Sequence, residues 1–392
     1  MLTSSLPHES WMERCLTLAA RGAGHVSPNP LVGAVLVGPD GRCLGEGWHA
    51  AYGRDHAEPV AIRYAEARHG AAALRTATLY VNLEPCSHHG KTPPCADLVL
   101  EKGIPRVVVG IADPFPAVAG RGLERLRAAG VEVEVGILQG PCLRLNEGFI
   151  HHVRTGRPLV TLKVAQTLDG HVATRTGHAR WISGQVARRR VHEWRATLDG
   201  VLVGRGTAAA DDPALTVRHV AGRQPRRLVL DRTGTLPPSL QLFTDAQAAH
   251  TLAVVAEGVT PAYAEALTAR GGTVWQLPTR SDDGAVHLDL AALLNRLGVE
   301  GGPKGRPLQT LLVEAGPGLA SALLQQDLVD RYALFVAPKL LGAGVRALHD
   351  LRVDTLDQAL TFADHTWSSV GNDLLFMGYR HATDELLAHT GT

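Results

Sequence analysis

His56, Glu58, Cys86 and Cys95 are the residues whose types and spacing point to chemistry. One imidazole and two thiolates supply the three protein ligands of a catalytic zinc site, whose fourth position is kept for water. Zinc brings the pKa of that water toward neutrality, so that it can attack an amidine-type carbon. A carboxylate must then take the proton and hand it to the departing amine, and Glu58 is placed for that work. Residues i and i+2 do not share a helix face, so His56 and Glu58 converge only at the open first turn of a helix. Cys95 opens a second helical stretch, CADLVLEKG, where a helix N-terminus favours a thiolate. Two helix starts meeting at one point predict a zinc centre and hydrolytic deamination. The competing reading is a structural zinc site, for which His88 or His89 would supply the fourth ligand and against which Glu58 weighs.

The elements that must position these groups follow from apolar periodicity. Residues 8–21 read as a helix, LVGAVLV and RCLGEGWHA as a hairpin of strands around GPDG, and HAEPVAIRYAEARHG as a helix ended by Gly70. TLYVNL is a strand that runs into EPCSHHGKTPPC; RVVVGIAD and VEVEVGIL are strands around the helix GLERLRAAG, and residues 141–154 are helical. The alternation predicts a largely parallel sheet with helices on its faces. Around VRTGRP the pattern resets, which predicts two domains, 1–153 and 154–392. The second half is again α/β, with a helix near 184–197.

Composition limits the partners. The 392 residues carry 39 basic and 38 acidic side chains, a net charge of +1. That balance gives no electrostatic reason to expect nucleic acid or an anionic membrane. No apolar run approaches the roughly 20 residues that span a bilayer, and MLTSSLPHESWMERC lacks the order of a secretory signal, so a cytoplasmic location is expected. Five cysteines are too few and too scattered for a disulfide framework; Cys15, Cys43 and Cys142 read as structural.

The combination of PNPLVGAVLV, HAE and EPCSHHGKTPPC resembles the bifunctional deaminase–reductase family of riboflavin biosynthesis. Zinc base deaminases in general carry P-C-x-x-C; here eight residues separate Cys86 from Cys95, the insertion that marks the riboflavin family. The resemblance continues through LKVAQTLDG, WISG, GTAAADDPALTVR, VEAGPGLA and APKLLG. It implies a cytidine-deaminase-like three-layer α/β/α domain followed by a dihydrofolate-reductase-like α/β domain. It implies Zn2+ and NADPH as cofactors, a phosphorylated pyrimidine as the small-molecule substrate, and a homo-oligomer. The implied reactions are deamination of 2,5-diamino-6-ribosylamino-4-pyrimidinone 5′-phosphate and reduction of its ribosyl group to a ribityl chain. The alternative is a deaminase with a degenerate second half.

Motif by motif, the resemblance implies that Asn29, His49, His88 and Lys91 contact substrate in the deaminase pocket. Read without it, Asn29 is equally a turn residue between two prolines, His49 an exposed strand-end residue, His88 a spare ligand or surface histidine, and Lys91 a solvated loop lysine. In the second half, Gly204-Arg205-Gly206-Thr207-Ala208-Ala209 fits the loose fingerprint G-x-G-x-x-A, although Asp231 lies late for its acidic partner. Gly316-Pro317-Gly318 is another strand-to-helix turn, and such turns are common in any α/β protein. The resemblance makes Ala165, Trp181, Thr207, Asp211, Gly316 and Gly318 NADPH contacts, and Arg195, Leu215, Arg218 and Glu314 substrate contacts; Lys163 is read from its chemistry as orienting the ribose of the substrate. Arg232 is placed to face the adenosine 2′-phosphate. Asp211 is the candidate acid for the hydride step, the plainer readings being a helix N-cap for Asp211 and a strand-end lysine for Lys163. One departure is visible: Ala179 stands where the family usually has serine, with Thr176 and Ser183 as possible substitutes.

Overall fold

The computed structural model describes residues 7–87, 93–115, 119–282 and 284–382. The chain divides into two compact units between Thr155 and Gly156, within the VRTGRP segment.

In the first unit the elements run α1 (His8–Ala20), β1 (Gly33–Val37), β2 (Cys43–Trp48), α2 (Ala57–His69), α3 (Ala71–Leu74), β3 (Thr78–Leu83), α4 (Cys95–Glu101), β4 (Arg106–Ile111), α5 (Arg121–Ala128), β5 (Glu132–Val135), α6 (Gln139–Leu145) and α7 (Glu147–Thr155). The sheet order is β2-β1-β3-β4-β5. Successive strand residues face opposite sides, which builds two cores. Ala34, Leu36, Val81 and Val107 pack with Ala61, Ile62 and Val99 from α2 and α4. Val35, Tyr80 and Val108 pack with Met12, Leu18 and Ile150 from α1 and α7. This is the three-layer α/β/α arrangement.

The expectation of a largely parallel sheet needs correction here. β1 pairs antiparallel with both β2 and β3, and only β3–β4 and β4–β5 are parallel. The tight turn forces β2 antiparallel to β1. The crossover through α2 then carries β3 past β2 to the far side of β1, where it meets β1 antiparallel as well. Cys43, expected to be structural, is exposed, whereas Cys15 and Cys142 are buried.

The second unit runs β6 (Leu159–Thr167), β7 (His171–Thr174), α8 (Gln185–Thr197), β8 (Gly200–Gly204), α9 (Arg205–Asp211), β9 (Arg226–Leu230), α10 (Gln241–Thr244), β10 (Thr251–Ala256), α11 (Pro261–Thr268), β11 (Thr273–Leu277), β12 (Thr279–Asp282), β13 (Ala285–Leu288), α12 (Leu290–Glu300), β14 (Thr310–Glu314), α13 (Pro317–Gln325), β15 (Arg331–Ala337), β16 (Gly344–Arg346), β17 (Asp364–Val370) and β18 (Asp373–Tyr379). Nine strands form one sheet, β11-β10-β9-β8-β14-β6-β15-β18-β17. It is parallel from β11 to β15 and closes with antiparallel β18 and β17. That order is not the 3-2-1-4-5-6 of a Rossmann sheet. Among the described residues no helix is long and apolar enough to cross a membrane.

Candidate active sites

Two close approaches set the first centre. Gly45 and Gly47 let α2 lie directly on β2: a Cβ at either position would run into the carbonyl of Ala61 or Ala57. This contact fixes the start of α2, where His56 is the N-cap and Glu58 lies in the first turn. Cys95 is the first residue of α4, and its backbone N–H donates to Cys86 Sγ at 3.3 Å.

The donor geometry suits zinc. His56 Nδ1 lies 3.7 Å from Cys86 Sγ and 3.4 Å from Cys95 Sγ, and all three donor atoms fall within 4.8 Å of one another. Zinc bonds of about 2.0 Å to nitrogen and about 2.3 Å to sulfur, at a tetrahedral angle, separate such atoms by about 3.5 Å. The hydrogen bond from Cys95, with those from His56 and the Cys95 N–H, holds the Cys86 thiol well below its ordinary value despite burial.

Glu58 is buried, and its Oε2 has no hydrogen-bond partner among the described residues. Burial, and then the Cys86 thiolate, push its carboxyl up to about 7, against the opposing pull of His56. A buried polar atom left unpaired costs roughly 1–3 kcal/mol, which marks this oxygen as kept for something other than stability.

Asn29 and His49 join this centre. Asn29 Nδ2 lies 3.1 Å from His49 Nε2, and His49 Nδ1 lies 3.0 Å from the Asp55 carbonyl. The Asp55 carbonyl can only accept, so His49 carries its proton on Nδ1 and its Nε2 accepts from Asn29. Burial lowers the His49 pKa and favours this neutral form. The His49 ring meets the His56 ring edge-on at 5.4 Å. His49 is thus buried, not an exposed strand-end residue. His88 and Lys91 lie outside the described residues, as does His89.

Glu84 was not singled out by the sequence reasoning. It follows β3 directly and precedes Pro85-Cys86. Its buried carboxylate accepts four backbone N–H groups, from Asp113, Gly120, Gly122 and Leu123, at 2.8–3.3 Å. Gly122 packs so tightly that a Cβ would strike the Pro85 carbonyl. An acid placed straight after an apolar strand was the available signal.

The second unit holds a cavity of about 1400 Å³. It is lined by Lys163, Ala165, Trp181, Arg195, Thr207, Asp211, Leu215, Arg218, Arg232, Glu314, Gly316 and Gly318, every residue that the motifs select in this half. Lys163 and Glu314 face each other on adjacent strands β6 and β14. Arg195 Nε donates to Glu314 Oε1 at 2.6 Å, and Lys163 Nζ lies 3.9 Å from Glu314 Oε2. Burial alone would raise Glu314, but Arg195 and Lys163 outweigh it and bring the carboxyl down to about 2. Burial lowers the Lys163 ammonium.

Two plainer readings are corrected. Lys163 sits in the middle of β6, not at its end, and Asp211 is the last residue of α9, not its N-cap. Trp181 is exposed, with the Arg188 guanidinium stacked 4.4 Å from its ring centre. Gly316 lies against Thr207, whose Oγ1 would be 3.3 Å from an added Cβ. Leu215 is buried with a φ of 52°. Asp231 is also buried, bound by the Tyr263 hydroxyl and the Leu236 N–H, so it cannot serve as the acidic partner of the fingerprint. His192, missed within its basic helix, lines the cavity and accepts from the Arg218 N–H at 3.2 Å. Burial first, then Arg195, bring it down to about 4.

Comparison with known proteins finds a family match in each unit. Residues 6–111 match the cytidine and deoxycytidylate deaminase zinc-binding region, and residues 158–376 match the RibD C-terminal domain. The riboflavin biosynthesis protein RibD of Aquifex aeolicus is 36% identical over 374 residues, covering 95% of this chain and 98% of the relative. That of Escherichia coli is 39% identical over 354 residues, covering 87% and 90%. The solved structure of Acinetobacter baumannii RibD superposes with a TM-score of 0.81 at 35% identity, over 95% of this chain and 98% of that one. A match across 158–376 sets aside the alternative of a degenerate second half. With its deaminase and reductase domains both present, and zinc and NADPH as their cofactors, the chain belongs to the RibD family of bifunctional riboflavin-biosynthesis enzymes.

Proposed function

We propose that the chain performs two consecutive steps on one phosphorylated pyrimidine. The first unit hydrolyses the 2-amino group of 2,5-diamino-6-ribosylamino-4-pyrimidinone 5′-phosphate to ammonia, and the second reduces the ribosyl group to ribityl with NADPH. The observation that carries the reading is the buried Glu58 Oε2, without a hydrogen-bond partner among the described residues, beside three zinc-type donors. Zinc seated on His56, Cys86 and Cys95 supplies an acidified water as nucleophile. Glu58 takes the proton as the new C–O bond forms and returns it to the amine as the C–N bond breaks. One carboxylate within reach of both the water and the amine serves both halves of that transfer. Asn29, held by His49 through Nδ2, presents Oδ1 to a pyrimidinone N–H; His88 and Lys91 are further substrate contacts on the family resemblance, Lys91 for the phosphate.

In the second unit, Trp181, Ala165, Thr207 and the 316–318 turn receive NADPH. Lys163, Arg195, Leu215, Arg218 and Glu314 hold the ribose phosphate. Glu314 offsets one of the two positive charges beside it and fixes both side chains, so they orient the sugar while the remaining charge attracts the phosphate. Asp211 supplies the acid that opens the ribosyl ring before hydride reaches C1′. We infer a cytoplasmic homo-oligomer; a solution mass of one chain would contradict the oligomer.

Following ammonia release and NADPH loss together on the diaminopyrimidinone ribotide tests both steps. Asp211→Asn is expected to spare ammonia release and slow NADPH loss by about 100-fold; equal NADPH loss in variant and parent removes Asp211 from the step. Ala179 and Ser183 line the cavity, whereas Thr176 bonds Thr174 instead. Restoring the hydroxyl in Ala179→Ser is expected to lower the reductase KM by about tenfold, the value of one hydrogen bond to a charged group. An unchanged KM would place the phosphate elsewhere.

A further inference from the structure

Dinucleotide sites commonly place an acid at the end of the second strand, where it binds the ribose 2′-hydroxyl; an arginine nearby accommodates a 2′-phosphate instead. Asp231 occupies the acidic position at the end of β9, but it is withdrawn from the cavity. Its side chain has no exposed surface. Oδ2 accepts from the Tyr263 hydroxyl at 2.7 Å and the Leu236 N–H at 2.8 Å. Oδ1 faces Arg205 Nε at 3.6 Å. No ribose can reach this carboxylate.

The groups that do line the cavity at the ends of β8 and β9 are Arg205, Arg232 and Thr233. Arg205 differs from Arg232 in being tethered. Its Nε donates to Thr235 Oγ1 at 3.1 Å, and Thr235 in turn shares a 2.8 Å hydrogen bond with Thr233. The side chain remains 55% exposed. A guanidinium fixed through Nε directs its two terminal nitrogens as a fork, the geometry that pairs with two oxygens of a phosphate. The location fits the far end of a dinucleotide. The Lys163–Glu314 pair lies on β6 and β14, β8 neighbours β14, and β9 neighbours β8. A cofactor with its nicotinamide near that pair, lying across the strand ends, brings its adenosine half to β8 and β9.

We propose that Arg205, tethered by Thr235 and Asp231, is the principal contact for the 2′-phosphate of NADPH, with Arg232 secondary, and that burial of Asp231 removes the carboxylate that would favour NADH. The inference rests on the reductase reading above. Its test is calorimetric titration of the full chain with adenosine 2′,5′-bisphosphate, adenosine 5′-monophosphate, NADPH and NADH. Arg205→Ala is expected to weaken the bisphosphate by at least about tenfold and the monophosphate by less than about twofold; retained monophosphate binding shows that the fold of the site is intact. Arg232→Ala is expected to cost less. If Arg205→Ala binds the bisphosphate as tightly as the parent while NADPH is still preferred to NADH, the assignment of Arg205 is wrong and the reductase reading stands. If the parent binds neither the bisphosphate nor NADPH, both are wrong.

Discussion

Glu58→Gln leaves zinc bound and stops ammonia release. The amide keeps the size and shape of the carboxylate, so the packing at the start of α2 is preserved, and none of the three proposed ligands is touched. What is lost is a buried carboxylate beside the three donors, with an oxygen free among the described residues to accept and return a proton. Acid–base catalysis by a positioned side chain contributes about 10²–10⁴-fold. Glu58 serves twice in one turnover, so the fall should reach the upper end of that range, about 10⁴-fold. Ammonia release measured beside zinc content checks it: full zinc with activity within tenfold of the parent would exclude Glu58 as the proton carrier. NADPH consumption on the already deaminated substrate should be unchanged, because that step belongs to the other unit.

The second large effect is expected at Glu314. Its carboxylate is shared by Arg195 and Lys163 in a largely buried setting, and removing one member leaves uncompensated charge. Breaking such a buried group costs about 3–5 kcal/mol. Glu314→Gln should therefore lower the melting temperature of the second unit and reduce NADPH oxidation, while ammonia release continues. The pH dependence has a definite sign. The folded carboxyl titrates near 2, below its ordinary 4.5. A depressed acid stabilises the fold above its ordinary value, and that stability is lost as pH falls through the folded value. The parent should thus lose stability between about pH 4.5 and 2, and the variant should lack that part of the slope. Melting curves collected across this range decide it; parallel curves for the two proteins would mean that Glu314 carries no such stabilisation.

The zinc donors were legible because few side chains bind zinc and few spacings bring them together. His-x-Glu at a helix start and Cys at another helix start needed no knowledge of the sheet. The cavity residues of the second unit were legible through motifs, but their settings were not. Lys163 reads as a strand end because the apolar run breaks there, yet β6 continues beneath it and pairs with β15 as far as Thr167. Asp231 reads as a weak fingerprint acid, and only the Tyr263 hydroxyl, 32 residues away, reveals that it is buried. Glu84 was hidden for the same reason, since its role depends on backbone donors from the loop after β4; His49 was named by motif, but its burial was not legible. The hairpin of β1 and β2 was legible from its turn, but the antiparallel pairing of β3 with β1 was missed because strand–helix alternation specifies crossovers, not the neighbour on which the returning strand lands.

The four amides gathered by Glu84 have a thermodynamic consequence. One carboxylate ties the segment after β4 to the residue next to Pro85-Cys86, so the sulfur that zinc requires is in place only when β3 and β4 have closed with their loops. An ion that binds the assembled seat and not the open chain shifts the folding equilibrium by its own binding free energy. Metal affinity and the cooperativity of the first unit are therefore one linked quantity. Any substitution that loosens this knot of backbone donors will lower the zinc affinity and the stability of the first unit together.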